Sequence, residues 1–201
     1  MKKLILSIGL LAGISVAAQA QGIKYGVKAG ASLTNFSGSD SDNTANKFGF
    51  NGGVLANFAF NDMVSVQPEV LFSMKGAKNT NYNKERVNLS YIDVPVLLKV
   101  ATGATGLFFE LGPQVGFLAT AKYKLDDNSA DVKGGFKSVD FGYAGGLGFQ
   151  AESGPMIGLR YNGGFTKVGK NANLGNGISI DAGNVRNSAF QLYVGYTFGG
   201  K

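Results

Sequence analysis

The sequence has no cysteine, no histidine and no tryptophan. Without cysteine the chain cannot form a disulfide, a thiol nucleophile or a lipid anchor on an N-terminal cysteine. Without histidine it cannot build a histidine-based catalytic triad or a histidine metal site. These absences exclude the commonest enzyme and metal-centre classes, and we expect a protein that is not an enzyme and that holds no cofactor or metal.

Charge is also scarce. Charged residues make up 16% of the chain, against ~25% in ordinary soluble domains. Glycine is abundant instead, with 31 of 201 residues, about twice the usual ~7%. A sheet surface that faces water normally carries many lysines and glutamates, so this composition argues against such a surface. No basic cluster of the kind that binds nucleic acid is present.

A long apolar run occurs only at the N-terminus. The chain begins MKK, stays apolar to residue 17 and reads AQA at 18–20, which is the three-part pattern of a cleaved secretory signal peptide. The run is shorter than the ~20 apolar residues of a spanning helix. We therefore predict a signal peptide over 1–20 and a mature domain over 21–201. Cleavage would remove two of the 19 basic residues, leaving 17 against 13 acidic ones.

Apolar side chains alternate with small or polar ones in eight segments, and Ile92, Val94 and Val96 around Asp93 are an example. Alternation predicts β-strands with one apolar face. Each segment is long enough for a tilted strand of about 9–11 residues to cross a bilayer. The eight predicted strands cover roughly 23–35, 48–60, 63–75, 88–101, 107–121, 138–151, 156–167 and 187–198.

The connections between these strands alternate strictly in length. Short turns are predicted at 61–62, 102–106 and 152–155. Long polar loops are predicted at 36–47, 76–87, 122–137 and 168–186. Such alternation is typical of bacterial outer-membrane barrels, whose short turns are periplasmic and whose long loops are outside. The sequence therefore predicts an all-β fold, an eight-stranded antiparallel up-and-down transmembrane β-barrel in the outer membrane.

Aromatic and proline residues refine this prediction. Aromatic residues gather near both strand ends, with Phe108 and Phe109 at the short-turn end, and we interpret them as interface belts. Pro68, Pro95 and Pro113 fall inside strands, where proline removes a hydrogen-bond donor from the sheet. We expect these three prolines at bulges or near the barrel rims.

Charged residues fall on the inward-facing positions of the predicted strands. An eight-stranded barrel is only wide enough for its own side chains, so these charges must pair with one another. Two interpretations stay open, a structural network that plugs the lumen and a selectivity ring or proton path. The predicted lumen network consists of Lys28, Glu69, Asp93, Lys99, Glu110, Asp140 and Arg160, and Lys75 is also predicted on an inward position.

The second long loop is basic. Its cations are Lys75, Lys78, Lys84 and Arg86. One hypothesis is that they contact phosphate groups of lipopolysaccharide in the outer leaflet. The alternative is an ordinary solvated loop.

Several runs, taken in order, resemble the PorT-type outer-membrane β-barrel domain family of Gram-negative bacteria. The runs are Gln67-Pro68-Glu69, Tyr91-Ile92-Asp93-Val94-Pro95, Gly112-Pro113-Gln114, Asp140-Phe141-Gly142 and Arg160-Tyr161. The resemblance covers nearly the whole mature chain. It implies an outer-membrane barrel of about eight strands and leaves the cellular role undefined.

The leading functional hypothesis is a non-enzymatic barrel with a filled lumen and four surface loops. It would act as a structural or interaction protein, or as an accessory to envelope transport, with membrane lipid and an unknown protein at the loops as partners. One alternative is a narrow, porin-like diffusion channel. Another is a soluble secreted β-barrel that binds a small apolar ligand.

Overall fold

The computed structural model describes residues 23–80, 85–103, 105–126, 128–175, 178–180 and 183–199. Eight long strands build the molecule. They are β1 (Ile23–Ser37), β2 (Lys47–Ala59), β3 (Val64–Asn79), β4 (Glu85–Ala101), β5 (Leu107–Leu125), β6 (Val139–Gln150), β7 (Pro155–Gly164) and β8 (Arg186–Phe198). Short strands lie in the connections at Thr44–Ala45, Asn128–Asp131, Ala172–Gly175 and Ile178–Ile180.

The eight strands close into a barrel. Each pairs antiparallel with the next along the chain. The last strand returns to the first, from the pair Tyr25 and Phe198 to the pair Ser37 and Arg186. Closure leaves no unpaired edge among these strands, and the predicted fold is confirmed. No helix within the described residues has the length and apolar character needed to cross a membrane.

The apolar faces of the strands point outward. On β8, Leu192 and Val194 are 52% and 57% exposed, whereas the intervening Tyr193 and the preceding Gln191 are buried. The same alternation runs through the other strands, because successive side chains point to opposite sides of a sheet. The alternative of a soluble barrel with its apolar face inward is therefore wrong.

Exposed aromatic side chains lie near both ends of the barrel. Phe109, Phe149 and Phe198 are exposed near the short turns, and Phe190 is exposed near the long loops. Phe108 differs from the prediction, because it is only 1% exposed and points into the barrel. It shares the inward face with Glu110, two residues further along the same strand, because residues two apart in a strand point to the same side.

Three neighbouring strands extend further toward the long loops than predicted. Strand β3 runs to Asn79, β4 begins at Glu85 and β5 ends at Leu125. The pairing of β3 with β4 continues in one register up to Lys78 and Arg86. The outward residues of this part are mostly polar, so the alternation of apolar and polar residues that predicts a strand is absent there. We call residues 76–79, 85–90 and 119–125 the sheet extension.

The three strand prolines lie inside the ladder, so their predicted place at bulges or rims is wrong. Each keeps a partner on the following strand, as Pro68 does with Val96 and Pro113 with Tyr143. On the preceding strand the partner is missing, but the register is the same above and below the gap. The neighbouring pairs hold the strands together, so one lost donor does not shift the sheet.

The long loops fold over the upper end of the barrel. The segment at Asn128–Asp131 pairs back onto β5, and a 3-10 turn follows at Lys133–Gly135. Beneath it lies an apolar cluster of Leu89, Tyr91, Leu118 and Ala121, against which Phe36, Val87, Val132 and Phe136 pack. Backbone hydrogen bonds also join the third and fourth long loops, from Lys137 N to the Val168 carbonyl and from Lys170 N to the Gly135 carbonyl. The loops therefore cover the lumen.

Candidate functional site in the barrel interior and on the sheet extension

Three clusters of mainly polar side chains fill the lumen at successive levels. The central cluster consists of Lys28, Glu69, Glu110, Arg160 and Tyr193. The upper cluster, toward the long loops, consists of Lys75, Tyr91, Asp93, Asp140 and Asn187. The lower cluster, toward the short turns, consists of Lys99, Phe108, Gln150 and Thr197. All seven predicted lumen residues point inward, although they divide among the three clusters.

Arg160 is the hub of the central cluster. Its side chain is fully buried and its Nη1 and Nη2 donate to the two carboxylate oxygens of Glu69 at 2.7 and 2.9 Å. Its Nε donates to Glu110 Oε1 at 2.6 Å. The planar guanidinium matches two carboxylates at once, so one side chain from β7 connects β3 to β5 across the lumen.

Lys28 and Tyr193 complete the central cluster. The Lys28 ammonium lies 3.3 Å from Glu69 Oε1 and 3.6 Å from the centre of the Tyr193 ring. The Tyr193 hydroxyl donates to Glu110 Oε1 at 3.1 Å. Two cations thus face two carboxylates, and five strands meet at one neutral plug.

Gly158 provides the room for the Tyr193 ring. A methyl group at Gly158 would lie 2.6 Å from ring atom Cζ and from the hydroxyl oxygen. We expect Gly158→Ala to lower the free energy of unfolding by about 1–3 kcal/mol through overpacking, measured by urea titration in lipid vesicles. Gly145→Ala is the control, because there the new methyl meets the end of the Leu111 side chain at 3.2 Å and the Glu110 carbonyl oxygen at an ordinary contact distance of 3.8 Å. Equal losses in both variants would contradict this role for Gly158.

The upper cluster is built around Lys75. The Lys75 ammonium lies 2.9 Å from Asp93 Oδ1 and 4.0 Å from Asp140 Oδ2. Asn187 Nδ2 donates to Asp140 Oδ2 at 2.8 Å and to the Tyr91 hydroxyl at 3.3 Å. Lys75 is only 3% exposed, so it lies in the lumen, as its inward position in the strand predicts, and is not one of the loop cations. The continuous alternation of β3 turns it inward.

The lower cluster contains a cation without a carboxylate partner. Lys99 Nζ donates to Gln150 Oε1 at 2.6 Å and lies 3.8 Å from the centre of the Phe108 ring. Gln150 is fixed from its other side, because its Nε2 donates to Thr197 Oγ1 at 2.8 Å. Below the cluster, a cavity of about 910 Å³ opens between the short turns.

Sequence reasoning missed neutral side chains that belong to these clusters or hydrogen-bond to them. Tyr193 and Asn187 lie in the lumen on the same face of β8, and Gln67 donates to Glu69 Oε1 at 2.8 Å. Their inward orientation was predictable from the alternation of side chains along a strand, since each lies an even number of residues from another inward side chain. Because they carry no charge, Tyr193, Asn187 and Gln67 were not included in the predicted lumen network.

The outward face of the sheet extension carries a row of three cations. Lys78 pairs with Arg86 across β3 and β4, and Arg86 pairs with Lys124 across β4 and β5. None of the three forms an ion pair within the part of the chain that the structure describes. We call Lys78, Arg86 and Lys124 the basic row. Lys84 of the predicted loop lies outside the described residues.

On the opposite, inward face of the sheet extension, Glu85 has neutral partners. Asn79 Nδ2 donates to Glu85 Oε2 at 2.7 Å, and the Tyr123 hydroxyl donates to Glu85 Oε1. This second hydrogen bond raises the pKa of Tyr123. Glu85 is therefore occupied on the inner face and does not neutralise the basic row.

Comparisons with known proteins agree with this architecture. Solved structures share the fold, and one is Neisserial surface protein A (NspA), which is 19% identical with a TM-score of 0.56 over 87% of this chain and 97% of that chain. Another is Ail, the attachment invasion locus protein of Yersinia pestis, in complex with the heparin analogue sucrose octasulfate. It is 16% identical with a TM-score of 0.51 over 88% of this chain and 99% of Ail.

These structural similarities establish the fold alone, because the identities are low. No curated protein sequence matches the chain. The family model described as the outer membrane protein beta-barrel domain matches residues 17–170, which is most of the chain. Together with the closed barrel and its apolar outer face, this match places the protein in the bacterial outer membrane. The chain belongs to the outer membrane protein beta-barrel domain family.

Proposed function

We propose that this protein is a non-enzymatic, non-conducting surface barrel that binds the phosphate groups of lipopolysaccharide through its basic row. The observation that carries the proposal is the register of Lys78, Arg86 and Lys124, which places three unpaired cations side by side on the outward face. Like charges opposite one another destabilise a sheet. A bound polyanion would remove this repulsion.

The height of the basic row suits a lipid headgroup. Phe72 and Ile92 are paired, exposed residues of the outer surface, and Lys78 and Arg86 each lie six residues further toward the loops. Six residues span about 20 Å along a strand, and strand tilt reduces the vertical distance. The row therefore lies above the apolar band, where phosphate groups of the outer leaflet would meet it.

The filled lumen supports a protein that does not conduct. The side chains of Glu69, Glu110 and Arg160 have no solvent exposure, and they meet in mid-lumen from three strands. A channel requires a continuous water-filled path or a ring of accessible charges. No observation favours the narrow-channel alternative over a structural plug.

The structure of Ail with a bound polyanion supports the proposal that the ligand of the basic row is a polyanion. Ail has been solved with the heparin analogue sucrose octasulfate, so a barrel of this fold can hold a densely anionic molecule. The chemistry needed is a set of exposed cations that form charge-assisted hydrogen bonds with several anionic oxygens. The basic row offers such a set.

Neutralising the basic row tests the proposal. We expect the triple variant Lys78→Gln, Arg86→Gln, Lys124→Gln to bind lipopolysaccharide on the order of a hundredfold more weakly, at about 1 kcal/mol for each cation near an anionic surface. Binding is measured by titrating lipopolysaccharide into the refolded protein in detergent micelles. The wild-type affinity should also fall as salt is raised.

A second triple variant controls for net charge. Lys137→Gln, Lys167→Gln, Lys170→Gln removes the same charge from the third and fourth long loops. We expect this variant to bind like the wild type. Equal binding by both triple variants, or equal loss in both, would overturn a specific role for the basic row.

We also propose that residues 1–20 direct export and are then removed. Residues 1–22 lie outside the described part of the chain, and the proposal is supported by the sequence pattern and by the outer-membrane location of the domain. Within the family, the order of the proline and charge runs supports a PorT-type member. Mass spectrometry of the protein purified from membranes should find an N-terminus near Gln21.

A further inference from the structure

From the lower cluster and the cavity beneath it, we infer that the short-turn end of the barrel holds a binding site for a small anion of the phosphate or carboxylate class. The site is distinct from the basic row, which lies at the opposite end of the barrel. Its central residue is Lys99, at the floor of the open cavity of about 910 Å³. In an outer-membrane barrel this end faces the periplasm.

The first argument is the unpaired charge of Lys99. Its side chain is nine-tenths buried, with 5% of the residue exposed. It forms no ion pair with any carboxylate of the described ranges. Among the other buried cations, Lys28, Lys75 and Arg160 have carboxylate partners, and Lys47, toward the long loops, donates to the Lys75 carbonyl oxygen at 3.2 Å. A buried ammonium without a counter-charge is costly, and an anion from the cavity would supply that charge.

The second argument is that the natural partner of Lys99 is committed elsewhere. Glu110 is its direct neighbour across β4 and β5. However, Glu110 Oε1 accepts from Arg160 Nε at 2.6 Å and from the Tyr193 hydroxyl at 3.1 Å. Its Oε2 has no hydrogen-bond partner among the described residues and does not lie within ion-pair distance of Lys99. The central cluster thus holds Glu110 away from Lys99, and the lower cation is left facing the cavity.

The third argument concerns the hydrogen-bonding capacity of the floor. An ammonium has three donors, and Lys99 uses one of them on Gln150. Lys24, on the inward face of β1, also lines the cavity and is without an ion pair among the described residues. Two cations with free donors can hold one oxyanion between them by charge-assisted hydrogen bonds.

The acidic residues at this end do not occupy the site. Asp62 and Glu152 line the cavity from the short turns, and both are exposed to solvent. Charges in solvent are screened within about 10 Å at 0.1 M salt, whereas the floor is shielded by protein. These two solvated carboxylates therefore oppose the charge of the buried Lys99 only weakly.

The test uses the full mature protein refolded in detergent micelles, with inorganic phosphate and acetate as separate probes. Sodium chloride at matched ionic strength is the reference. We expect phosphate or acetate to raise the temperature at which unboiled protein loses its folded gel mobility. Response to phosphate alone would assign a phosphate site, and response to both would assign a general oxyanion site.

Lys99→Met provides the sharpest variant, because it removes the unpaired charge and keeps the length of the side chain. We expect it to be at least as heat-resistant as the wild type without the probe, and to bind phosphate roughly tenfold or more weakly by calorimetry, for the loss of one charged hydrogen bond. Lys170→Gln, an exposed position in the fourth long loop at the opposite end and outside the basic row, should respond to phosphate like the wild type.

Three results would overturn the inference. The first is a wild type that responds to neither anion at millimolar concentration. The second is an equal response of Lys99→Met and wild type. The third is a loss of heat resistance in Lys99→Met without the probe, which would show that Lys99 stabilises the barrel by itself. None of these depends on lipopolysaccharide binding, so this inference and the proposed function can fail separately.

Discussion

Replacing Arg160 with methionine is expected to lower the free energy of unfolding of the barrel by about 3–5 kcal/mol, the usual cost of leaving buried charges without their partner. Arg160 makes three hydrogen bonds to Glu69 and Glu110. Without it, Glu110 keeps only the Tyr193 hydroxyl. The loss is measured by urea titration in lipid vesicles and by the temperature at which the folded gel band disappears.

A double variant separates unpaired charge from lost packing. In Arg160→Met, Glu110→Gln, the remaining carboxylate Glu69 keeps Lys28 at 3.3 Å and Gln67 at 2.8 Å, so the cluster is again neutral. We expect the double variant to recover most of the stability, because replacing a whole buried ion pair by neutral groups is often close to neutral. A double variant as unstable as the single one would mean that shape, and not charge, governs the plug.

Replacing Val194 with arginine is expected to destabilise the barrel by about 2–4 kcal/mol, the cost of a cation on the lipid face near the middle of the membrane. Val194 is 57% exposed and lies between the exposed aromatic residues Phe190 and Phe198 on β8. In a protein surrounded by water, the same change at an exposed position would be almost neutral. Urea titration in lipid vesicles measures the difference.

Thr120→Arg is the matched control for this substitution. Thr120 is an exposed residue of the sheet extension on β5, above Phe117 at the edge of the apolar band. An arginine there would remain in water, and we expect a change within about 0.5 kcal/mol. Similar losses at Val194 and Thr120 would contradict the position of the apolar band.

Much of the architecture follows from the sequence because a barrel repeats one simple pattern. Alternation with period two gave eight strands, and the alternating loop lengths gave their order and direction. Strand parity then divides the side chains into two faces. Phe108 was assigned to an aromatic belt from its residue type, although its place in the strand predicts otherwise. An aromatic residue two positions from Glu110 must share the inward face of Glu110.

The positions that prediction missed depend on neighbours distant in sequence. The sheet extension has no apolar outward face, so local alternation ends before the strands do, and only pairing such as that of Lys78 with Arg86 reveals it. The prolines illustrate the same point. A lone strand would be broken at Pro95, but two flanking strands hold it in register.

The sequence by itself determined the cellular location, the number of strands and which side chains of each strand face lipid or lumen. These properties depend on local composition and on the alternation of apolar with small or polar residues. Only the tertiary structure decided which inward charges meet. Lys99 lies opposite Glu110 in the ladder, but Arg160 reaches Glu110 from β7 at 2.6 Å. Barrel closure brings distant strands together, and the competition for one carboxylate is settled by distances across the lumen that no sequence pattern records.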